Sequence, residues 1–129
     1  MRTIIKAEEI NLSNWAGIKI TTTEGRIEFL IDNNQNCCEG FGYKITFGNL
    51  SDLIGHIPRY FEMEEESEKF KDDRFVRKLN IKFFIQTVDD HKAELKLQLS
   101  FYCEHNGYYS HNVLVFDEDN PDRVKVISL

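Results

Sequence analysis

Apolar and polar residues alternate along most of this chain, which is the pattern of β-strands that bury one face. Two such runs flank Glu24-Gly25, with Ile18 and Ile20 before it and Phe29 and Ile31 after it. A two-residue turn at Glu24-Gly25 sets Ile20 opposite Phe29. The same register sets Ile18 opposite Ile31, so one face of the pair is apolar. We therefore predict an antiparallel hairpin here.

A second hairpin is predicted near the C-terminal end. The run from Leu95 to Cys103 alternates strictly, and Asn106-Gly107 is the dipeptide most typical of a tight type I′ turn. The return strand then runs from Tyr108 to Phe116. In this register Cys103 points toward the apolar side of the hairpin, and His111 points away from it.

Weaker patterns predict the remaining elements. The acidic stretch from Glu62 to Asp73 is compatible with an exposed loop or a short helix, and a further helix within Glu62 to Leu79 stays open. Alternation and turn residues elsewhere predict strands at Tyr43 to Phe47 and Ile81 to Ile85 and a short helical turn at Leu50 to Ile54. Thr3 to Leu12 fits an edge strand or a short helix, and we favour the strand. Pro58 makes Ile57 to Met63 an edge strand or the start of a strand.

Together these elements predict a mainly β fold, α+β at most. We expect roughly six to eight antiparallel strands, arranged as a curved sheet or a two-sheet sandwich with the short helical turn. A chain of 129 residues has the size of one domain, so residues 1–129 are expected to fold as a single unit.

Composition narrows the cellular setting and the partners. Neither a signal-peptide core nor an apolar run of about 18 residues is present, so we expect a cytoplasmic protein with no membrane partner. The odd count of three cysteines fits a reducing compartment. A formal net charge of −6 disfavours direct nucleic-acid binding and suits either solubility or a basic partner. The oligomeric state is not predicted.

Two groups of side chains are candidate binding residues. On the predicted hairpin, the residues that share the side facing away from the apolar face are Tyr102, Glu104, Tyr109 and His111. Aromatic residues with polar tips often anchor interfaces, although they also cover solvated sheet faces. The second group lies in the acidic stretch and consists of Glu64, Glu65 and Glu66.

The sequence favours no catalytic or metal chemistry. Neither a G-x-S-x-G nucleophile turn nor a phosphate-binding lysine loop is present, so we expect no enzyme activity and no cofactor. Cys37-Cys38 lacks the C-x-x-C spacing, and the predicted hairpin turns Cys103 and His111 apart, so we predict no metal. A metal or thiol site around Cys37-Cys38 is kept as an alternative.

Three short motifs carry a resemblance to a known group of proteins: Asn36-Cys37-Cys38-Glu39, Leu50 to Gly55, and Asn106 to Val113. Their order resembles an uncharacterised family of small phage and bacterial proteins, classed as a domain of unknown function. The resemblance covers roughly Ile18 to Phe116. It implies a phage or mobile-element setting, in which small acidic proteins inhibit host defence systems.

Our leading hypothesis is a non-catalytic binding protein that inhibits a host defence protein, in the manner of anti-CRISPR proteins. The acidic stretch would compete for a basic groove of the host protein that normally holds nucleic acid. One alternative is a small-ligand or nucleotide-binding protein that uses Tyr102, Tyr109 and His111.

Overall fold

Strands make up nearly all of the regular structure. The computed structural model describes residues 2–33, 40–69, 75–87, 92–105, 111–119 and 125–129. Within those ranges the regular elements are nine strands and one short 3-10 helix. They are β1 (Ile4–Asn11), β2 (Trp15–Thr22), β3 (Gly25–Asp32), β4 (Gly40–Phe47), the 3-10 helix (Leu50–Leu53), β5 (Pro58–Lys69), β6 (Phe75–Gln86), β7 (Ala93–His105), β8 (Asn112–Asp117) and β9 (Lys125–Ser128).

The strands form two antiparallel sheets. The five-stranded sheet has the order β1-β2-β3-β8-β9, and the four-stranded sheet has the order β4-β7-β6-β5. Their inner faces share one hydrophobic core. The predicted mainly β fold with a short helical turn is therefore confirmed, and of the two expected arrangements the chain adopts the one with two sheets. The described residues hold one strand more than the expected upper number.

The core is built around Phe29 of β3. Its ring meets Phe83 of β6 edge to face at 6.2 Å and Phe61 of β5 edge to face at 5.2 Å. Phe29 belongs to the five-stranded sheet, and both partners belong to the four-stranded sheet. Each such aromatic pair contributes about 0.5–1.5 kcal/mol beyond its buried area. Phe29 thus joins the two layers.

The first hairpin forms as predicted, but its register differs. Ile20 pairs with Ile27, and Ile18 pairs with Phe29, because the two-residue loop consists of Thr23 and Glu24. The predicted pairing is wrong by two positions. A shift of two preserves the side on which each residue lies, so the apolar face is still the buried one.

The second predicted hairpin is wrong. β7 pairs with β4 and β6, whereas β8 pairs with β3 and β9 in the other sheet. The chain therefore passes from one sheet to the other between His105 and His111. Asn106-Gly107 and the first part of the predicted return strand lie outside the described residues. A turn dipeptide signals a local reversal, but it does not determine the sheet that the next strand joins.

The acidic stretch is neither a loop nor a helix where the structure describes it. Residues from Glu62 to Lys69 continue β5, and every one of them from Glu64 onward is exposed. β5 is an edge strand, as predicted for its first part, and it pairs with β6. Phe61 and Met63 of β5 pack against the core. Pairing with β6 then keeps the charged residues that follow them in the strand conformation.

The N-terminal segment is tied to the far end of β8. Both terminal nitrogens of the Arg2 guanidinium donate to the Asp117 carboxylate, at 2.8 and 3.1 Å, and the Asp117 side chain is only 2% exposed. Such paired hydrogen bonds between charged groups are stronger than neutral ones. They tie the segment before β1 to β8, which lies three strands away in the same sheet.

Gly17 of β2 lies so close to the backbone of β3 that no side chain fits there. A Cβ atom at this position would lie 2.0 Å from the carbonyl oxygen of Phe29. We predict that Gly17→Ala lowers the free energy of unfolding by about 3 kcal/mol, because the backbone of β3 must shift. Urea unfolding followed by the fluorescence of Trp15 measures the change.

Gly40→Ala is the matched control. A Cβ there would meet nothing nearer than Glu104 side-chain atoms at 4.0 Å. Its effect should stay within about 0.5 kcal/mol. Equal losses for the two variants would contradict the close approach of β2 to β3.

Candidate functional site

The outer face of the four-stranded sheet is the side turned away from the core. Alternation along each strand decides which residues lie there, because alternate residues of β6 and β7, such as Leu79 and Leu99, are buried in the core. The register places side chains in rows across β5, β6, β7 and β4. One row is Glu66, Lys78, Tyr102 and Gly42, and the next is Glu64, Asn80, Ser100 and Lys44.

Four carboxylates stand along β5 on this outer face. We call Glu62, Glu64, Glu66 and Glu68 the glutamate row. All four are exposed, and alternate residues of a strand lie about 7 Å apart. Sequence reasoning selected two of them, Glu64 and Glu66. The recurrence of Glu at every second position is the signal that could have identified the whole row.

Glu65 belongs to the other side of the strand. It pairs with Leu79, which is fully buried, and it therefore points toward the inner side of the sheet. The three candidate glutamates are exposed, but they do not form one group. Beside the glutamate row, β6 places Lys82 opposite Glu62 and Lys78 opposite Glu66. The strand at the edge is thus acidic, and the strand next to it carries positive charge.

Tyr102 and Glu104 lie together on the outer face, as predicted. Tyr102 covers Gly42 of β4, since a Cβ on Gly42 would be 3.0 Å from the tyrosine hydroxyl oxygen. Gly42 has a φ of 153°, a value that favours glycine. Glu104 lies beside Gly40 in the same way, with its carboxylate 4.0 Å from the equivalent position. Two glycines therefore let these side chains lie along the surface of β4.

An aromatic pair occupies one end of the outer face. The rings of Tyr60 and Phe84 stack with centroids 4.7 Å apart and planes 21° from parallel. Phe84 also pairs with Leu95 across the strands. Between this pair and the middle of the glutamate row lies a shallow cleft of about 350 Å³, lined by Glu62, Met63, Glu64, Asn80 and Lys82.

His111 is buried rather than displayed. Its side chain has no exposed area, and its ring stacks on Phe41 of the other sheet at 3.8 Å. The expectation that His111 shares the face of Tyr102 is wrong, because β8 does not pair with β7. Tyr109 lies outside the described residues. Tyr102 is thus the member of the predicted nucleotide-binding group that lies on the outer face in the described residues.

Asp32 holds His111 in place. The Nδ1 atom of His111 is 2.6 Å from Oδ1 of Asp32 and 2.9 Å from its backbone oxygen. Both oxygens accept hydrogen bonds, so Nδ1 carries the proton and donates it. The second carboxylate oxygen of Asp32 accepts from the backbone N–H of Asn112 at 2.8 Å. No sequence signal pointed to Asp32, which ends a predicted strand as an ordinary polar residue.

Of the three cysteines, Cys103 lies within the residues that the structure describes. Cys103 is fully buried on the inner face, as predicted, and its Cα partner is Phe41. Because Phe41 also stacks on His111, Cys103 and His111 both turn toward the core, and the predicted opposition of the two side chains is wrong. Cys37 and Cys38 lie outside the described residues. Within the described part of the chain, no three His, Cys, Asp or Glu side chains are grouped to hold a metal ion.

One hydrogen bond joins the outermost strands of the two sheets. The Tyr43 hydroxyl on β4 donates to the Glu9 carboxylate on β1 at 3.0 Å. Burial raises the pKa of Tyr43 to about 12 from its usual 10, and the hydrogen bond to Glu9 and the charge of Glu9 add to the rise. This contact links the two sheets at one edge of the sandwich.

Comparison with known proteins identifies a family. The family model DUF7448, a domain of unknown function, matches residues 1–115. The chain belongs to this family. The match runs from before β1 into β8, and β9 follows it. No curated protein and no solved structure matches the chain. In the described residues, no helix has the length and apolar character needed to cross a membrane.

Removing the Asp32 carboxylate should loosen the junction between β3 and β8. We predict that Asp32→Ala lowers the free energy of unfolding by about 1–3 kcal/mol, because His111 and the Asn112 N–H lose an acceptor. Glu28→Ala is the control on the same strand, since Glu28 bonds the exposed Arg26 side chain. Its cost should stay below about 1 kcal/mol. Denaturant titration of both variants measures the two losses of stability. Equal losses would contradict a special role for Asp32.

The Tyr43 to Glu9 contact should make stability depend on alkaline pH. A pKa raised on folding means that the contribution is complete below pH 10 and is lost as the pH rises through about 12. At pH 8 we expect Tyr43→Phe to be less stable than wild type by about 1 kcal/mol. The gap should close as the pH approaches 12. A gap that stays constant between pH 8 and pH 12 in chemical denaturation would exclude this contribution.

Proposed function

We propose that this chain is a non-catalytic binding protein that docks a basic surface of a partner on the glutamate row. The observation that carries the proposal is the alignment of Glu62, Glu64, Glu66 and Glu68 on one face of an edge strand. Four exposed carboxylates in a line attract a positively charged surface from a distance. They also reject partners of like charge.

A nucleic-acid-binding surface is the partner class that fits this row best. The row carries one negative charge per about 7 Å, compared with one phosphate per about 3.4 Å along a DNA strand. Its charge density is thus about half that of one strand. Such a row occupies part of a phosphate-binding groove, and the net charge of −6 supports its attraction to the groove.

The motif resemblance described above implies a phage or mobile-element origin, which together with small size and acidic charge supports an inhibitor of a host defence protein. In that setting the row competes with nucleic acid for the partner. The proposal assigns the protein to the cytoplasm of the host cell.

Charge reversal tests the proposal with a matched pair of variants. Glu64 and Glu65 are adjacent and exposed, but they point to opposite sides of β5. Immobilised wild type, Glu64→Lys and Glu65→Lys are exposed to a bacterial lysate, and each captured protein is quantified by mass spectrometry. We expect Glu64→Lys to weaken capture of the specific partner about fivefold, since one surface charge is worth about 1 kcal/mol.

Glu65→Lys should weaken this capture less, although it changes the net charge equally. Raising the salt concentration should reduce capture by the wild type, because exposed charges are screened. A partner that is retained in high salt and by Glu64→Lys would show that the glutamate row is not the contact.

A further inference from the structure

β5 is a long and regular edge strand. It runs for 12 residues, and its pairing with β6 is unshifted from Tyr60 to Lys69. Its bulge and its proline both lie at the start, between Pro58 and Tyr60. In the described residues β5 pairs with β6 alone. Every second residue of such a strand directs its backbone N–H and C=O groups away from the sheet.

Edge strands of this kind must be protected against pairing with other chains. Bulges, prolines and inward-pointing charges are the usual devices. Between Tyr60 and Lys69 the protection consists of charge, and on the outer face all of that charge is negative. A row of negative charge repels acidic partners and attracts basic ones.

Pairing with a second copy of the chain is disfavoured by this charge. If β5 paired antiparallel with the β5 of another copy, registers that align the two outer faces would set Glu opposite Glu. Glu62 would face Glu68 in one register and Glu66 in the next. Like charges directly opposite on neighbouring strands are destabilising.

The inner side of β5 is apolar near its first half. Phe61 and Met63 are partly buried and pack against the core, and the Phe61 ring contacts Phe29. A strand added to this edge would therefore meet carboxylates on its outer side and apolar side chains on its inner side.

We propose that β5 accepts an extended basic segment of the partner as a fifth strand of this sheet. In that segment Lys or Arg would alternate with apolar residues, so that the cations lie opposite the glutamate row and the apolar side chains lie beside Phe61 and Met63. Main-chain hydrogen bonds give such strand addition its affinity, and the alternating side chains give its specificity. The inference rests on the proposed function, because it names the part of the partner that meets the row.

Short synthetic peptides test the inference directly. The probe is a fluorescent peptide in which Lys alternates with Val, and the control is the same peptide with its alternate backbone nitrogens methylated. Methylation keeps the charge and the pattern but blocks the edge hydrogen bonds. We expect the unmodified peptide to bind at least tenfold more tightly by fluorescence anisotropy. Hydrogen exchange should show new protection of amides in β5 when it binds.

The variants separate this inference from the proposed function. Glu64→Lys should weaken binding of the unmodified peptide more than Glu65→Lys does. If both peptides bind equally and depend on Glu64, the strand addition is wrong, while docking on the glutamate row stands. If neither peptide binds, or if β5 amides are protected by self-association without peptide, the inference is overturned. Partner capture that ignores Glu64 would instead refute the proposed function.

Discussion

Burial of Phe29 between the two sheets is the interaction on which the other features depend. Phe29 meets Phe61 and Phe83 across the interface, so one side chain of β3 orients both β5 and β6. Once Phe61 is held inward, alternation turns the neighbouring glutamates outward. The glutamate row is therefore a consequence of core packing. A change of one residue in the register of β5 would bury carboxylates and expose Phe61.

Much of the fold could be predicted because alternation is a local property. It located most strands and their buried faces, and the error at the first hairpin moved residues by two positions without changing sides. Pairing between distant strands is not local. The turn signal at Asn106-Gly107 gave no information about β3, which is the strand that β8 joins. Dense charge also hid the second half of β5, where pairing to β6 outweighs the weak strand preference of Glu.

For the candidate surface, too, the sequence predicted the features that depend on one strand and not those that depend on which strands pair. Tyr102 and Glu104 share the outer face because both lie on one strand. His111 was misplaced because its side depends on the sheet that contains β8, and Glu65 was grouped with Glu64 because composition does not distinguish alternate positions. Asp32 gained its role through a contact with His111, which is remote in sequence. Contacts of that kind follow from topology and leave no mark on either segment.

The position of the four-stranded sheet within the chain has a consequence for folding. All four of its strands lie between β3 and β8, which are neighbours in the other sheet. Gly40 at the start of β4 pairs with Glu104 near the end of β7, so the chain enters and leaves this sheet at adjacent points. Once the four-stranded sheet has formed, only short connections separate β3 from β8. Pairing β3 with β8 then requires little further loss of chain entropy, because the long intervening segment is already ordered. Such a nested order favours a pathway in which the inserted unit condenses first and the surrounding sheet closes around it.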